Sequence, residues 1–363
     1  ILNPTTATFT PYTAIDYAIS AYVIDHNGSE WFGLNKDGIT IDGKRYTTND
    51  KQTNLPSNNI RDMAIDKQGR VWVATWGGGL AYTTPKPGKA PLFKVILNNG
   101  LNKSKVYSLS LSTSGNLFVA TYNGLYIIDT NKKDFSEDNI LNFNVENKQL
   151  PTDEITTIKA IGDDTLWMGT TGYGALKVTF NAEKKTISYV TIDHSNGLPN
   201  DNIISIAKGD GNNIWLGTEE GLALVDGTNL WAKSYMPSTN VFGNMVSSIG
   251  ILELSNGTVL FATNDGVAII DGNTKLETTK ETSTPHISDI LINGKSMFGE
   301  ELIKQNPLGH QEMSVAHNQG NIRFLFSNLD YPTINSTLYE FYLEGIDKSW
   351  REPSKTNLAE YSH

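Results

Sequence analysis

The stretch Ile214-Trp215-Leu216-Gly217-Thr218-Glu219-Glu220-Gly221-Leu222-Ala223-Leu224 decides the fold of this chain. It reads as an aromatic strand ending in Gly-Thr, a short polar turn with a Gly, and a second apolar strand, the signature of a tight hairpin. The aromatic strand recurs as Trp31-Phe32-Gly33-Leu34, Trp72-Val73-Ala74-Thr75, Phe118-Val119-Ala120-Thr121, Trp167-Met168-Gly169-Thr170 and Leu260-Phe261-Ala262-Thr263. From Trp31 to Leu260 the anchors are 41, 46, 49, 48 and 45 residues apart by subtraction of their numbers, and Gly38, Gly79, Gly124, Gly174, Gly221 and Gly266 follow them in turn. An alternating segment such as Ile60–Ile65 or Ile203–Ala207 precedes the anchor.

A period in the forties with four short strands per copy marks a propeller blade rather than a helical repeat. In the third copy the strands are expected at Val106–Ser112, Leu117–Thr121, Leu125–Asp129 and, more variably, Leu141–Val145. One blade cannot bury both of its faces, so the copies must stack around an axis. The expected class is all-β: a β-propeller over residues 1–284, then the N-terminal part of a β-sandwich over residues 285–363. In the latter, Ile287–Asn293, Asn321–Ser327 and Leu338–Leu343 read as strands. Six blades are clear. A seventh would come from the chain ends, Ala7–Tyr12 with part of Gly272–Thr284, closing the ring and removing exposed edges.

Composition narrows the function classes. The 363 residues carry 29 Lys+Arg against 39 Asp+Glu, a net charge of -10, which argues against a general nucleic-acid binder. With no Cys, disulfides, thiolate metal sites and Cys nucleophiles are excluded. Apolar runs are too short for a membrane-spanning helix, and no basic start followed by an apolar stretch appears at Ile1, so any signal peptide is expected to have been removed or to lie outside this sequence.

The repeats resemble the two-component regulator propeller. Its Leu-Pro loop, strand, Gly turn and Trp-x-Gly-Thr strand stand here as Leu55-Pro56-Ser57-Asn58-Asn59-Ile60 leading to Gly69-Arg70-Val71-Trp72. They stand again as Leu198-Pro199-Asn200-Asp201-Asn202-Ile203 leading to Ile214-Trp215-Leu216-Gly217-Thr218. The tail resembles the start of the Tyr-rich β-sandwich that follows such propellers, through Phe326-Ser327, Asp330-Tyr331, Tyr339-Glu340-Phe341-Tyr342-Leu343-Glu344-Gly345-Ile346-Asp347 and Trp350.

This resemblance implies the periplasmic sensor region of a Bacteroides-type hybrid two-component protein, which detects oligosaccharides released from glycans and controls a cytoplasmic histidine kinase and transcription. It further implies a homodimer, anchored to the inner membrane only through segments outside this chain. The fragment itself is then not an enzyme, uses no cofactor and makes no nucleic-acid contact. Two departures point to a sensor fragment: about one propeller where the family usually has two, and a Tyr-rich domain that stops at His363.

The anchors Trp31, Trp72, Trp167 and Trp215 are expected to pack between blades rather than stack on sugars. The polar first turns, such as Asp66-Lys67-Gln68-Gly69, lack the oxygen order of a calcium loop and are turn chemistry. No Gly-x-Ser-x-Gly or His-Glu-x-x-His motif is present, so no catalytic or metal-binding residue is assigned.

A binding surface follows from topology. The turn between the second and third strands shares one face with the loops between blades, and family propellers commonly bind there. The positions four after each anchor, Asn35, Trp76, Tyr122, Thr171, Glu219 and Asn264, differ from copy to copy, as a ring of contacts in a fixed frame would. Trp76, Tyr122 and Tyr173 could offer flat rings to pyranoses. Glu219 joins them, with Asn59, Arg61, Lys105 and Asn202 at the starts of first strands as polar or cationic partners. Arg61 could clamp a uronate or sulfate through paired hydrogen bonds, with a cross-strand ion pair as its competing role. The rival functions are a propeller-fold polysaccharide lyase or glycoside hydrolase, and a protein–protein platform.

Overall fold

In the computed structural model the Thr121 hydroxyl donates to the Gly124 carbonyl across its hairpin, at 2.7 Å. Thr75 to Gly79, Thr170 to Gly174 and Thr218 to Gly221 repeat this bond at 2.7, 2.7 and 2.8 Å. The repeated Thr and Gly are therefore one device. Gly is required for two reasons: φ is +97° at Gly124 and +69° at Gly174, and a Cβ there would strike the carbonyl oxygen of Phe143 or Ile192 on the fourth strand.

The structure describes residues 2–3, 8–9 and 15–235 (99, 134, 137 and 138 excepted), then 250–254, 257–263, 266–270, 285–297, 303–305, 311–313, 315, 320–327, 339–351, 354 and 356–362. Backbone contacts divide the chain into two units, residues 1–237 with 241–278, and residues 238–240 with 279–363.

The first unit is a series of antiparallel meanders. Blade one runs Ile19–Ile24, Glu30–Leu34, Gly38–Ile41, Lys44–Tyr46, and blade two Ile60–Ile65, Val71–Thr75, Gly79–Thr83, Lys94–Val95. Blade three is Val106–Leu111, Asn116–Thr121, Gly124–Asp129, Ile140–Phe143, within one or two residues of the expected strands. Blade four is Ile155–Ala160, Thr165–Thr170, Ala175–Asn181, Thr186–Ile192, and blade five Ile203–Lys208, Ile214–Thr218, Gly221–Val225, Ala232–Tyr235. Blade six shows three strands, Ile251–Glu253, Val259–Thr263 and Gly266–Ile270.

Six blade sheets are thus described. Of the segments expected to build a seventh, Thr8–Phe9 pairs with Leu2–Asn3 in a two-stranded ribbon. Ala7, residues 10–12 and Gly272–Thr284 lie outside the described residues.

First strands of successive blades lie side by side. Apolar residues fill the spaces between sheets: Trp31 and Ile39 meet Ile60 and Val71 of the next blade, and Trp72 and Leu80 meet Val106 and Leu117. Phe118 meets Ile155 and Leu166, Trp167 meets Ile203 and Ile214, and Trp215 meets Val259 and Phe261. The five aromatic anchors are core residues, as expected of the tryptophans, whereas Leu260 is half-buried. Their indoles also fix the first turns, since Trp31 Nε1 donates to Asp25 Oδ2 at 3.0 Å and Trp72 Nε1 to Asp66 Oδ2 at 2.7 Å.

A second tie runs between first strands. Ser20 Oγ donates to the Ile60 carbonyl at 2.6 Å, and Thr156 Oγ1 to the Ile203 carbonyl at 2.5 Å. Asp62 accepts from Leu109 N at 2.7 Å and Ser108 Oγ at 3.0 Å. Burial raises the Asp62 carboxyl above its usual range, opposed by the N–H groups of Leu109 and Met63, the Ser108 hydroxyl and the Arg61 charge.

The second unit contains a four-stranded sheet ordered Lys295–Ser296, His286–Ile292, Ile322–Ser327, Leu358–Tyr361, and a separate pair, Ile303–Gln305 with Gln311–Met313. The strand expected over Leu338–Leu343 is not formed in its described part, where Tyr339 makes only an isolated bridge to Ser354. The chain is instead organised there by Asp347, which accepts from Leu343 N at 2.9 Å, Arg351 Nε at 3.0 Å and the Tyr361 hydroxyl at 2.6 Å. Asp330-Tyr331 lies outside the described residues. Among the described residues no α-helix forms, and no helix is long and apolar enough to cross a membrane.

Candidate ligand-binding site

Backbone hydrogen bonds place two sequence positions together on one face in blade after blade. The residue that opens the second turn donates its N–H to the residue just before the first strand: Trp76 to Asn59 O at 2.9 Å, Tyr122 to Lys105 O at 3.1 Å and Glu219 to Asn202 O at 3.2 Å. The turn Gly then reaches the next blade, Gly79 N donating to Ser104 O at 3.2 Å and Gly124 N to Asp153 O at 2.7 Å. Turns and inter-blade loops therefore share one face.

Each of the first five blades also carries a register shift early in its first strand, between Ile19 and Ala21, Ile60 and Asp62, Val106 and Ser108, Ile155 and Thr157, and Ile203 and Ser205. A bulge re-aims the side chain it carries. The bulged residues are Ser20, Arg61, Tyr107, Thr156 and Ile204. Ser20 and Thr156 donate their hydroxyls to the neighbouring blade's backbone, whereas Arg61 and Tyr107 reach the residues of the loop face.

Arg61, Trp76, Lys105, Tyr107 and Tyr122 are thereby brought together from blades two and three. The Arg61 guanidinium carbon lies 5.4 Å from the Trp76 ring centroid. Lys105 Nζ lies 4.9 Å from the Trp76 centroid and 4.8 Å from that of Tyr122. Tyr107 packs edge-on against Trp76 at 5.2 Å and donates its hydroxyl to Glu154 Oε1 at 3.0 Å, which carries the cluster into blade four. Burial, then the hydrogen bond and negative charge of Glu154, push the Tyr107 phenol up to about 12.

Arg61 is exposed and Lys105 half-buried, and no ion pair joins either to a carboxylate among the described residues. The cross-strand ion pair weighed for Arg61 is not formed there. Tyr122 is 47% exposed, so its ring remains open to a ligand.

The other expected residues fall elsewhere on the face or are engaged. Asn202 Nδ2 donates to Glu219 Oε2 at 2.8 Å, so these two form a polar pair in blade five. The Asn59 side-chain oxygen is buried with no hydrogen-bond partner among the described residues, so it is not offered to the face. Tyr173 is 51% exposed in the turn of blade four, without a described ring contact to the cluster. Asn35 and Thr171 are exposed, and Asn264 lies outside the described residues.

Tyr107 and the role of Glu154 escaped the sequence reading. The signal was available by register, since Lys105-Val106-Tyr107 aligns with Asn59-Ile60-Arg61, and Glu154 precedes Ile155 as Lys105 precedes Val106.

As chemistry, the cluster offers cations, aromatic rings and hydrogen-bonding groups, with Tyr107 and Glu154 as its hydroxyl–carboxylate pair and the phenol held protonated. Glu154 is engaged by Tyr107, and Asp153 Oδ1 accepts from Val145 N at 2.7 Å, so the neighbouring carboxylates are held separately. The turn oxygens do not make a metal cage: Asp66 Oδ1 accepts from Gln68 N and Arg70 N at 3.0 and 2.9 Å, and Oδ2 from Arg70 Nε at 2.6 Å. Among the described residues no group of three or more His, Asp or Glu is placed to hold a metal.

Comparison with known proteins agrees with the repeat. Residues 54–77 and 197–220 match the two-component regulator propeller family. A histidine kinase P4 of Formosa agariphila is 27% identical over 212 residues, covering 57% of this chain and 15% of that protein. The extracellular domain of a putative hybrid two-component system of B. thetaiotaomicron aligns with 95% of this chain and 51% of its own, at 19% identity and a TM-score of 0.43. The WD40 repeats of RRP9 align with 71% of this chain and 77% of theirs, at 11% identity and a TM-score of 0.51, a likeness of propeller fold. The chain spans about half of the matched extracellular domain and a smaller share of the kinase.

Proposed function

We propose that this chain is the ligand-sensing region of a hybrid two-component receptor, lying on the periplasmic side of the inner membrane. It binds a glycan-derived oligosaccharide on the loop face of blades two to four and signals, as a homodimer, to a cytoplasmic histidine kinase. The observation that carries the reading is the convergence of Arg61, Trp76, Lys105, Tyr107 and Tyr122 on one face of a regulator-type propeller. Rings with polar and charged side chains around them are the usual lining of a saccharide site. A ligand drives signalling by preferring one arrangement of the receptor over another.

The alternative is a propeller-fold lyase or hydrolase. Against it, the Tyr107 phenol is pushed up to about 12, away from the value a tyrosine base would need near neutral pH. The test is titration calorimetry of the chain against neutral and acidic oligosaccharides, with chromatography of the ligand afterwards. Saturable binding with the ligand intact, weakened by Tyr122→Ala, supports a sensor. Cleavage of the ligand establishes an enzyme, and binding of no saccharide removes both readings.

A further inference from the structure

Building on that reading, we infer that the site selects an acidic oligosaccharide, one bearing a carboxylate or sulfate, and seats its anionic group between Arg61 and Lys105. The chain carries a net charge of -10, yet it gathers two cations at one ring, Arg61 at 5.4 Å and Lys105 at 4.9 Å from the Trp76 centroid. Ring contact orients a cation while leaving its N–H donors uncommitted, five on a guanidinium and three on an ammonium. Neither side chain is joined to a carboxylate among the described residues. Of the carboxylates near them, Glu154 accepts the Tyr107 hydroxyl at Oε1, and Asp62, on which the Arg61 charge acts, is taken up by Leu109 N and Ser108 Oγ without an ion pair to Arg61.

Trp76 consequently serves as a support for charge rather than a bare platform. A neutral pyranose stacked there would have to displace a cation, whereas an anion completes the arrangement. Trp76 is half-buried and carries both cations, whereas Tyr122 carries Lys105 alone and is 47% exposed, so Tyr122 is the ring placed to meet the sugar that bears the anion. Charge also sets the direction of the chain. The face turns acidic in blade five, where Glu219 is held by Asn202, so the neutral hydroxyl-rich end of the ligand points that way and the acid end toward blades two and three. A carboxylate in blade five accepts sugar hydroxyls and repels a second anion.

The test is calorimetry of the full chain with oligogalacturonides, sulfated galactose disaccharides, neutral galacto-oligosaccharides of equal length and inorganic sulfate. An acidic saccharide is expected to bind at least tenfold tighter than its neutral counterpart. Arg61→Gln and Lys105→Gln should each weaken it about tenfold or more, as loss of a charge-assisted hydrogen bond does. Raising salt should weaken the acidic ligand and leave neutral ones unchanged. Melting curves of each variant separate loss of binding from loss of fold, and Lys103→Gln, the exposed lysine two residues before Lys105, is the matched control. Equal binding of neutral and acidic saccharides, or full affinity in both variants, overturns this inference while the sensor reading survives. Binding of inorganic sulfate alone, or of no saccharide, overturns both.

Discussion

The Tyr107 hydroxyl lies 3.0 Å from Glu154 Oε1, so a phenol of the third blade is fastened to a carboxylate that precedes the first strand of the fourth. This bond ties two blades at the loop face, and burial, followed by the hydrogen bond and charge of Glu154, raises the phenol to about 12. A group whose folded value lies above its unfolded value of about 10 stabilises the fold below that pH. That contribution is lost as pH rises through the window from 10 to about 12. The melting temperature is therefore expected to fall more steeply over this window in the parent protein than in Tyr107→Phe. Parallel curves for the two proteins would show that the bond is not coupled to folding.

The turn glycines should divide into two classes. At Gly174, φ is +69° and an added Cβ meets the Ile192 carbonyl, while at Gly172 φ is +80° and nothing lies within 4 Å. Gly172→Ala bears only the left-handed backbone cost of about 1 kcal/mol, whereas Gly174→Ala adds a steric clash with backbone and should cost about 3 kcal/mol or more. Denaturant unfolding measures both. Equal losses would mean that backbone strain alone sets the requirement for Gly.

Asp66 should behave as a fold residue. Both of its oxygens accept hydrogen bonds, and it pairs with Arg70 at 2.6 Å with its side chain fully buried. Asp66→Ala leaves the Trp72 indole N–H and the Arg70 charge without their partner, a loss of about 3–5 kcal/mol. EDTA should leave the parent melting temperature unchanged, since these oxygens are used by the protein. A fall in melting temperature on chelation would reveal a metal at the turn.

An anchor and a face aromatic should separate cleanly under truncation. Phe118 is fully buried between the third and fourth blades, so Phe118→Ala should cost about 3–5 kcal/mol. Tyr173, 51% exposed, should cost within about 0.5 kcal/mol when changed to Ala. Chemical denaturation of the two variants reads the contrast, and similar losses would contradict the assignment of the anchors to the core.

The blades were legible because each repeated residue has its own task. The anchor fills the gap between sheets, the Thr bonds across the hairpin, and the Gly clears the fourth strand. The loop face was legible for a related reason, since the hydrogen bond from Trp76 N to Asn59 O is part of the meander itself. Alternation failed at Tyr107. One extra residue in a strand reverses which side the next side chain takes, and Val106-Tyr107-Ser108 shows the shift only when its blade is aligned with Ile60-Arg61-Asp62. In the tail, Tyr339 to Leu343 has the look of a strand, yet its described part is ordered by the turn that closes on Asp347. Side-chain hydrogen bonds of that kind leave little periodic trace.

The shift that recurs in five first strands has an evolutionary consequence. It separates one position per blade from the job of filling the core. At 20, 107 and 156 it ties one blade to the next, whereas at 61 and 204 selection can exchange the side chain while the sheets beneath keep their register. Such a propeller can change what it recognises one socket at a time. A combinatorial library confined to 61 and 204 should yield folded proteins far more often than one placed at 20 and 156, where the hydroxyl bonds the next blade.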